Sequence, residues 1–516
     1  MMKEIEIVLL PHESNDREIL FDKAATALNI ARSSLKDVQI HKRSIDARGK
    51  QVVFRLKVQV YTDEIPVPEI FTVSYPNVSN KNPVLIIGAG PAGLFAALRC
   101  IELGLKPIIL ERGKDVKQRR RDLAAIHKEG IINPESNYCF GEGGAGTYSD
   151  GKLYTRSNKR GDVQYVLKAF VAHGATEDIL IDARPHIGTN KLPQIITSMR
   201  ENILNAGGEI HFDTKVSEFI LSGNKMKGVK TALGNDFHAE AVILATGHSA
   251  RDIYYILRKH NLHIEAKPFA LGVRIEHPQL LIDQAQYHCE VRDPDLPPSY
   301  YSLVEQVENR GVFSFCMCPG GIIAPCATDF NEIVVNGWSP SKRNNPFANS
   351  GTVVQINLED VPGSFEDPFR LLHFQAEAEK KAFFAGGGAL VAPAQRMVDF
   401  SNGKLSNDLP DNSYLPGTSS ADLSAVLPEF VYSRLQKALP AFGKKMKGYF
   451  TNEAILVGVE SRTSAPVRIP RDKESLQHPD AIGLFPCGEG SGYAGGIVSA
   501  AIDGMNCADA ALRLLN

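Results

Sequence analysis

Long apolar runs are missing from this sequence, and so are clustered cysteines, a dominant charge and a cleavable leader. No stretch of 18 apolar residues occurs, so no membrane-spanning helix is expected. The eight cysteines, Cys100, Cys139, Cys289, Cys316, Cys318, Cys326, Cys487 and Cys507, are scattered, with no C-x-x-C among them. That spacing excludes the paired ligand patterns of zinc ribbons. It predicts reduced thiols, a cytoplasmic setting and no metal site. Fifty-seven basic residues face 59 acidic ones, for a net charge of −2, and the pI is near 6.7. Nothing in that balance marks a nucleic-acid partner. The one dense basic run, Lys117-Gln-Arg-Arg-Arg121, reads as a solvated surface segment rather than a polyanion site. Charges inside the first apolar run, and no small-residue cleavage site, argue against a signal peptide. With 43% hydrophobic and 22% charged residues over 516 positions, the chain has the composition of a soluble protein of about two to four domains.

Glycine, by contrast, is placed with purpose. Residues 84–87 form a short apolar run suited to a strand buried on both faces, and Gly88-Ala-Gly-Pro-Ala-Gly93 follows at once. A helix over 94–103 and a second strand over 107–110 complete a strand–turn–helix–strand unit. In such a unit Gly88 makes the sharp turn, Gly90 admits a pyrophosphate to the backbone and Gly93 lets helix and strand pack closely. The helix N-terminus, with roughly half a positive charge, faces the phosphates. Glu111, 18 residues beyond Gly93, ends the second strand where a carboxylate accepts ribose hydroxyls. The motif with its flanking elements predicts dinucleotide binding.

The rest of the chain divides around this unit. Residues 1–78 read as a small β-α-β-β module, with strands over 5–10, 38–47 and 51–62 and a helix over 17–29, of ferredoxin-like type. A linker over 64–83 holds Pro66, Pro68, Pro76 and Pro83. The glycine-rich loop 140–153, with Gly144 at its centre, predicts close backbone approach to a ligand. A helix follows over 193–206, then strands over 209–221, 226–231 and 237–239. The buried strand beginning at 241 ends in Ala245-Thr246-Gly247, at the crevice that also holds Gly90. From 267 to 447 the pattern reads as an inserted α+β substrate or cap domain. It has β-rich stretches at 269–276, 300–308, 311–316 and 333–337 and helices over 368–384 and 421–439. Residues 331–351 read as a mobile polar loop. Cys316-Met-Cys318 has two readings, a redox pair and a strand-to-turn segment, and the second is favoured because a C-x-C disulfide is strained. Near Gly448 the chain is expected to return to the nucleotide-binding domain (79–266 and 448–516). There a strand over 484–486 leads into Gly488-Glu489 and a helix over 496–515.

Together the first glycine motif, the Ala-Thr-Gly strand and the Gly-Glu motif resemble flavoproteins of glutathione-reductase-like topology, over about 84–250 and 448–516. More narrowly, the segments 143–153, 272–278, 317–321, 459–464 and 488–496 resemble a family of uncharacterised FAD-dependent dehydrogenases. The resemblance implies an α/β fold: a Rossmann-like FAD-binding domain, an inserted α+β substrate domain and the small N-terminal domain. It implies FAD held at Gly88, Gly90, Pro91, Ala92 and Gly93, with Glu111 and Arg112 at the adenosine end. Gly144, Thr246, Gly247, Gly488 and Glu489 would complete the cradle. The backbone of Gly495, Gly496 and Ile497 would face the flavin ring, where a helix N-terminus stabilises the charge of the reduced form. Two departures matter. Ala145-Gly-Thr147 stands where disulfide reductases carry a cysteine pair, and Cys139 is alone, so thiol–disulfide chemistry is not expected. A second full unit of strand, G-x-G-x-x-G, helix and following strand is absent, so NAD(P)H is expected at most as a transient electron donor.

The expected activity is an FAD-dependent dehydrogenase or reductase moving a hydride between flavin and a small organic substrate. An NAD(P)H-dependent flavin monooxygenase and a non-catalytic FAD-binding scaffold that recruits a partner through residues 1–78 remain as alternatives. Candidate polar groups are Lys152, Arg274, Glu276, His277, Arg462 and Tyr493. Arg462 is the candidate grip for an anionic group, by its planar fork, and His277 the candidate acid or base. Oligomeric state is left open.

Overall fold

The first glycine motif anchors the fold in the computed structural model, which describes residues 2–67, 71–155 and 161–516. Pro83–Ile87 is flanked in parallel by Val242–Leu244 and Lys106–Leu110. Leu484–Pro486 joins outside Val242–Leu244 and Glu209–His211 outside Lys106–Leu110, giving five parallel strands. Their apolar runs are buried because helices cover one face and a small sheet covers the other. On one side lie Pro91–Glu102, Val163–Ala172, Leu192–Asn205 and Ile497–Leu515. On the other lie the antiparallel strands Val216–Ser222, Lys225–Thr231 and Asp236–His238, with the helix Arg251–Lys259. The single strand expected over 209–221 is therefore two strands in different sheets. Asp213, at φ 51°, makes the left-handed turn between them.

A seven-stranded sheet forms the second body. Its order is Val304–Val307, Arg310–Cys318, Phe347–Ile356, Phe269–Pro278, Ile455–Glu460, Ala392–Arg396 and Thr418–Ser420. All neighbours are antiparallel except the last pair. Three expectations change here. Ile455–Glu460 pairs with Phe269–Pro278, so the chain leaves this sheet after Glu460 rather than at Gly448. It crosses back where Val467–Arg468 pairs with Glu265–Ala266. Residues 331–351 are not a loose loop: Ile333, Val334 and Val335 are buried, Val335–Trp338 is a strand, and 347–351 open the strand Phe347–Ile356. The helix expected over 421–439 is instead Glu429–Lys445, because Pro428 keeps the residue before it out of helical geometry.

The N-terminal module is a three-stranded antiparallel sheet, Met2–Leu9, Val53–Tyr61 and Asp37–Asp46 in that order, with the helix Arg17–Leu28 on one face. Its core extends onto Tyr287 and Leu296 of the inserted domain. Arg43 reaches Asp182 at 2.7 Å, tying the module to the parallel-sheet body as well. The proposed linker runs through residues 68–70, Pro68 included, which lie outside the described residues. Among the described residues no helix is long and apolar enough to cross a membrane.

Candidate functional site

The carboxyl ends of the parallel strands open onto one cleft, and glycines make its walls. A Cβ on Gly93 would lie 1.9 Å from the Gly88 carbonyl oxygen, so only glycine lets helix and strand approach this closely. Gly88 itself has φ 101°, and a Cβ there would lie 2.5 Å from the Ala245 oxygen. The wall glycines behave differently. A Cβ at Gly247, Gly495 or Gly496 would meet nothing within 4 Å, and one at Gly90 only the Gly144 Cα at 3.9 Å. These positions border space, not packing. That space is a cavity of about 260 Å³, lined by Gly88, Gly90, Pro91, Ala92, Glu111, Arg112, Gly144, Thr246, Gly247, Gly488, Glu489, Gly495, Gly496 and Ile497. A water needs only roughly 10–15 Å³ in the same measure, so a void this size is ligand space.

Helix ends tell the same story. Arg17–Leu28, Val116–Glu129 and Val163–Ala172 begin with aspartates, Asp16, Asp115 and Asp162, whose side chains accept the first free N–H groups. Pro91–Glu102 and Ile497–Leu515 begin at Gly90 and Gly496 with no side-chain cap, as do several helices away from the cleft, and both starts line the cavity. Uncapped N–H groups and the positive end of the dipole suit phosphate at one and an electron-rich ring carbonyl at the other.

Charged side chains brace the loops of the cleft. Glu111 accepts from the backbone of Ala89 at 2.8 Å and of Gly113 and Gly141 at 2.9 Å each. Its Oε2 carries a single bond and keeps acceptor capacity. Arg112 pairs with Glu135 and Asp252 and lies over the Phe140 ring, 4.1 Å from its centroid. Arg119 corrects the reading of the basic run: Arg120 and Arg121 are exposed, but Arg119 is fully buried. Its guanidinium donates to the carbonyls of Asn137, Tyr138 and Glu142, holding the start of the glycine-rich loop. At the other end of the cleft, Glu489 is pushed up to about 6 by burial and by the neighbouring Cys316. His248 Nε2 lies 3.9 Å from Glu489 Oε2, and its Nδ1 faces Ser249 Oγ at 2.8 Å. Burial, then the Arg462 and Arg251 charges, lower His248 to about 4, so its imidazole is neutral near pH 7.

Of the polar candidates, Lys152 and Arg462 line the cavity and the others do not. Arg462 is buried, and its five N–H groups are committed to Glu379 twice, Glu332, Thr328 and Ser249. With no donor left, it is a strut between elements and not a grip for a substrate anion. Arg274 is likewise committed to Asn349, Asn336, Glu460, the Cys316 carbonyl and Cys318 Sγ. His277, fully buried between Tyr301 and Tyr449, bonds the Tyr449 carbonyl at 2.8 Å. It has no path to the cleft as acid or base. Glu276 accepts from the Ser413 backbone and hydroxyl. The Tyr493 ring lies under Arg471, 3.8 Å from centroid to Cζ, outside the cavity lining. Lys152 keeps its place, with Nζ 3.5 Å from Cys316 Sγ.

The cavity also takes in His248, Phe315 and Asn336, which sequence reasoning did not single out, and Cys139, Phe140 and Cys316, which it named without placing them in the cleft. His248 directly follows Gly247, and that adjacency was a usable signal. The others reach the cleft only through long-range pairing. Cys487, Asp503 and Cys507 form a close buried group. Arg471 already fills it with a cation, at 2.6 Å from Asp503 and 3.5 Å from Cys507 Sγ.

Comparison with known proteins agrees with the chemistry of these residues. Residues 268–463 match the family described as FAD-dependent protein, C-terminal domain-like. Residues 83–119 match the FAD binding domain, and residues 1–61 match a domain of unknown function. A Clostridium beijerinckii protein described as uncharacterized is 39% identical over 515 residues, 96% of either chain. Solved structures align more distantly. A geranylgeranyl bacteriochlorophyll reductase-like protein of Thermoplasma acidophilum aligns at 14% identity and TM-score 0.34, over 84% of this chain and 79% of its own. Glycine oxidase from Bacillus cereus aligns at 14% identity and TM-score 0.31, over 83% and 94%. The cofactor is FAD, and with its Clostridium relative the chain belongs to a family of FAD-dependent proteins.

Proposed function

We propose that FAD occupies this cleft and that the protein is an oxidoreductase acting on a small organic substrate admitted between the two large bodies. One observation carries the reading: the cavity has glycine-rich walls from the parallel-sheet domain and a third wall from the inserted sheet, at Phe315, Cys316 and Asn336. A cofactor-only niche needs no such cover, whereas a substrate pocket does. Gly88, Gly90 and Gly144 would cradle the pyrophosphate and Glu111 the adenosine ribose. Glu489 would hold the ribityl chain, and the start of Ile497–Leu515 would face the ring. Bound FAD supplies two-electron chemistry; the chain supplies position, cover and proton handling. Among the titratable groups that line the cleft are His248, neutral near pH 7, and Glu489, raised to about 6. With both values below 7, each is mostly unprotonated at neutral pH and suited to accept a proton.

Purified protein should carry FAD releasable by denaturation. Anaerobic mixing with a panel of NADH, NADPH and small organic reductants should bleach the flavin with at least one member. Colourless protein whose spectrum and melting ignore added FAD would remove the reading at its root. A flavin that no donor reduces would favour the scaffold alternative.

A further inference from the structure

The inserted wall of the cleft carries a pair of thiols that cofactor binding does not use. Strand Arg310–Cys318 loses register between Phe315 and Cys318. Within that bulge Cys316 has φ 48°, a left-handed conformation that L-residues with a Cβ adopt only when the surroundings impose it. Bulges re-aim side chains, and Cys316 lines the same cavity as Gly90 and Glu489. Lys152 Nζ stands 3.5 Å from Cys316 Sγ and 3.7 Å from Cys318 Sγ. On the other side, Arg274 Nη2 lies 3.5 Å from Cys318 Sγ and donates to the Cys316 carbonyl at 2.8 Å. Two cations thus hold two free thiols. The acids around them are Asp150, 3.8 Å from Lys152, Glu460, 3.0 Å from Arg274, and Glu489.

We propose that Cys316 is a thiolate nucleophile and Cys318 its resolving thiol, so that the pair is a reversible dithiol–disulfide couple open to small-molecule disulfides entering the cleft. The hydrogen bond from Cys318, then the Lys152 and Arg274 charges, hold the Cys316 thiol well below its ordinary range against the opposing effect of burial. The same hydrogen bond and burial hold Cys318 well above it, as a protonated partner. A nucleophilic cysteine needs this kind of electropositive, partly open setting. The step balances as a thiol–disulfide exchange. Cys316 Sγ attacks one sulfur of R–S–S–R; that S–S bond breaks, a Cys316–S–S–R bond forms and RS⁻ leaves. Cys318 gives its proton to the departing thiolate and attacks Cys316 Sγ, expelling the second RS⁻. Two electrons pass from the cysteines to the small disulfide, and the products are the Cys316–Cys318 disulfide, RSH and RS⁻. The strain expected of a C-x-C disulfide belongs to a regular strand, and this one is bulged. The inference goes beyond the oxidoreductase reading and does not rest on it, since it is tested on the thiols without turnover.

Iodoacetamide labelling of the FAD-loaded protein at about pH 6.5, read by peptide mass, should modify Cys316 about tenfold faster than Cys289, another partly exposed thiol. Lys152→Met should slow Cys316 by about tenfold. Thiolate ultraviolet absorbance, which needs no reagent access, should fall on acidification in wild type and not in Cys316→Ser. Treatment with oxidised glutathione should remove two hydrogens from the peptide carrying both cysteines, and Cys318→Ser should stop at the mixed disulfide on Cys316. Two results overturn the proposal: absorbance changes unaltered by Cys316→Ser, or a Cys318→Ser protein that still loses two hydrogens. Loss of FAD or of activity alone bears on the oxidoreductase reading instead.

Discussion

Five N–H groups on Arg462 meet five acceptors, and the chief of these acceptors is Glu379, itself fully buried. Removing one partner of such a pair leaves an uncompensated buried charge. Arg462→Met should therefore cost about 3–5 kcal/mol in urea unfolding of the FAD-free protein. A role in anion binding would instead leave stability unchanged. Glu379 also sets an acid limit. Burial alone would raise its carboxyl, but Arg251 and Arg462 outweigh it and lower it to about 2. A carboxylate depressed in the fold adds stability that is fully present above its ordinary value and lost as pH falls through its folded value. On the order of 3 kcal/mol should disappear between about pH 4.5 and 2. Glu379→Gln should flatten that limb of the stability profile, measured by denaturation at each pH.

At the scale of elements, two glycines set how closely helices pack. A Cβ on Gly93 would meet the Gly88 oxygen at 1.9 Å, and one on Gly504 the Ala92 oxygen at 2.0 Å, where Ile497–Leu515 crosses Pro91–Glu102. Backbone atoms give way poorly, so either change to alanine should cost about 1–3 kcal/mol or more. FAD should be lost with the shifted helix starts, and thermal melts with and without FAD would measure both effects. The parallel-sheet elements were legible because their signals are local: an apolar run, glycines at fixed offsets, a helix period. The inserted sheet was less so. Phe269–Pro278 is buried along nearly its whole length, and its polar residues looked like a site because no short-range pattern shows their partners. Arg274 meets Glu460, Glu276 meets Ser413, and His277 meets Tyr449, each more than 130 positions away. Ile455–Glu460 was misplaced for the same reason, being a buried apolar strand whose neighbours are fixed only by long-range pairing.

Across the whole molecule, the cleft lies where two bodies meet and the small module braces both. Arg43 and Asp182 are partly exposed, so Arg43→Ala should cost less than about 1 kcal/mol. Leu296, 4% exposed in the module's core, should cost about 2–5 kcal/mol when cut to alanine. Neither change should alter FAD affinity, as titration of the folded protein would show. The cofactor side of the cleft was readable in sequence because each of its pieces sits beside a glycine. The inserted wall was not, because Cys316 reaches the cavity only through a bulge that composition does not reveal. The central claim is that the glycine-lined space is there for FAD and not for packing. Gly90 tests it most directly, since its φ of −75° suits any residue and a Cβ there meets only the Gly144 Cα, at 3.9 Å. The measurement is FAD affinity of Gly90→Val beside its melting temperature without FAD. A loss of affinity on the order of a hundredfold with an unchanged melt is the predicted result; wild-type affinity in the variant would contradict the account.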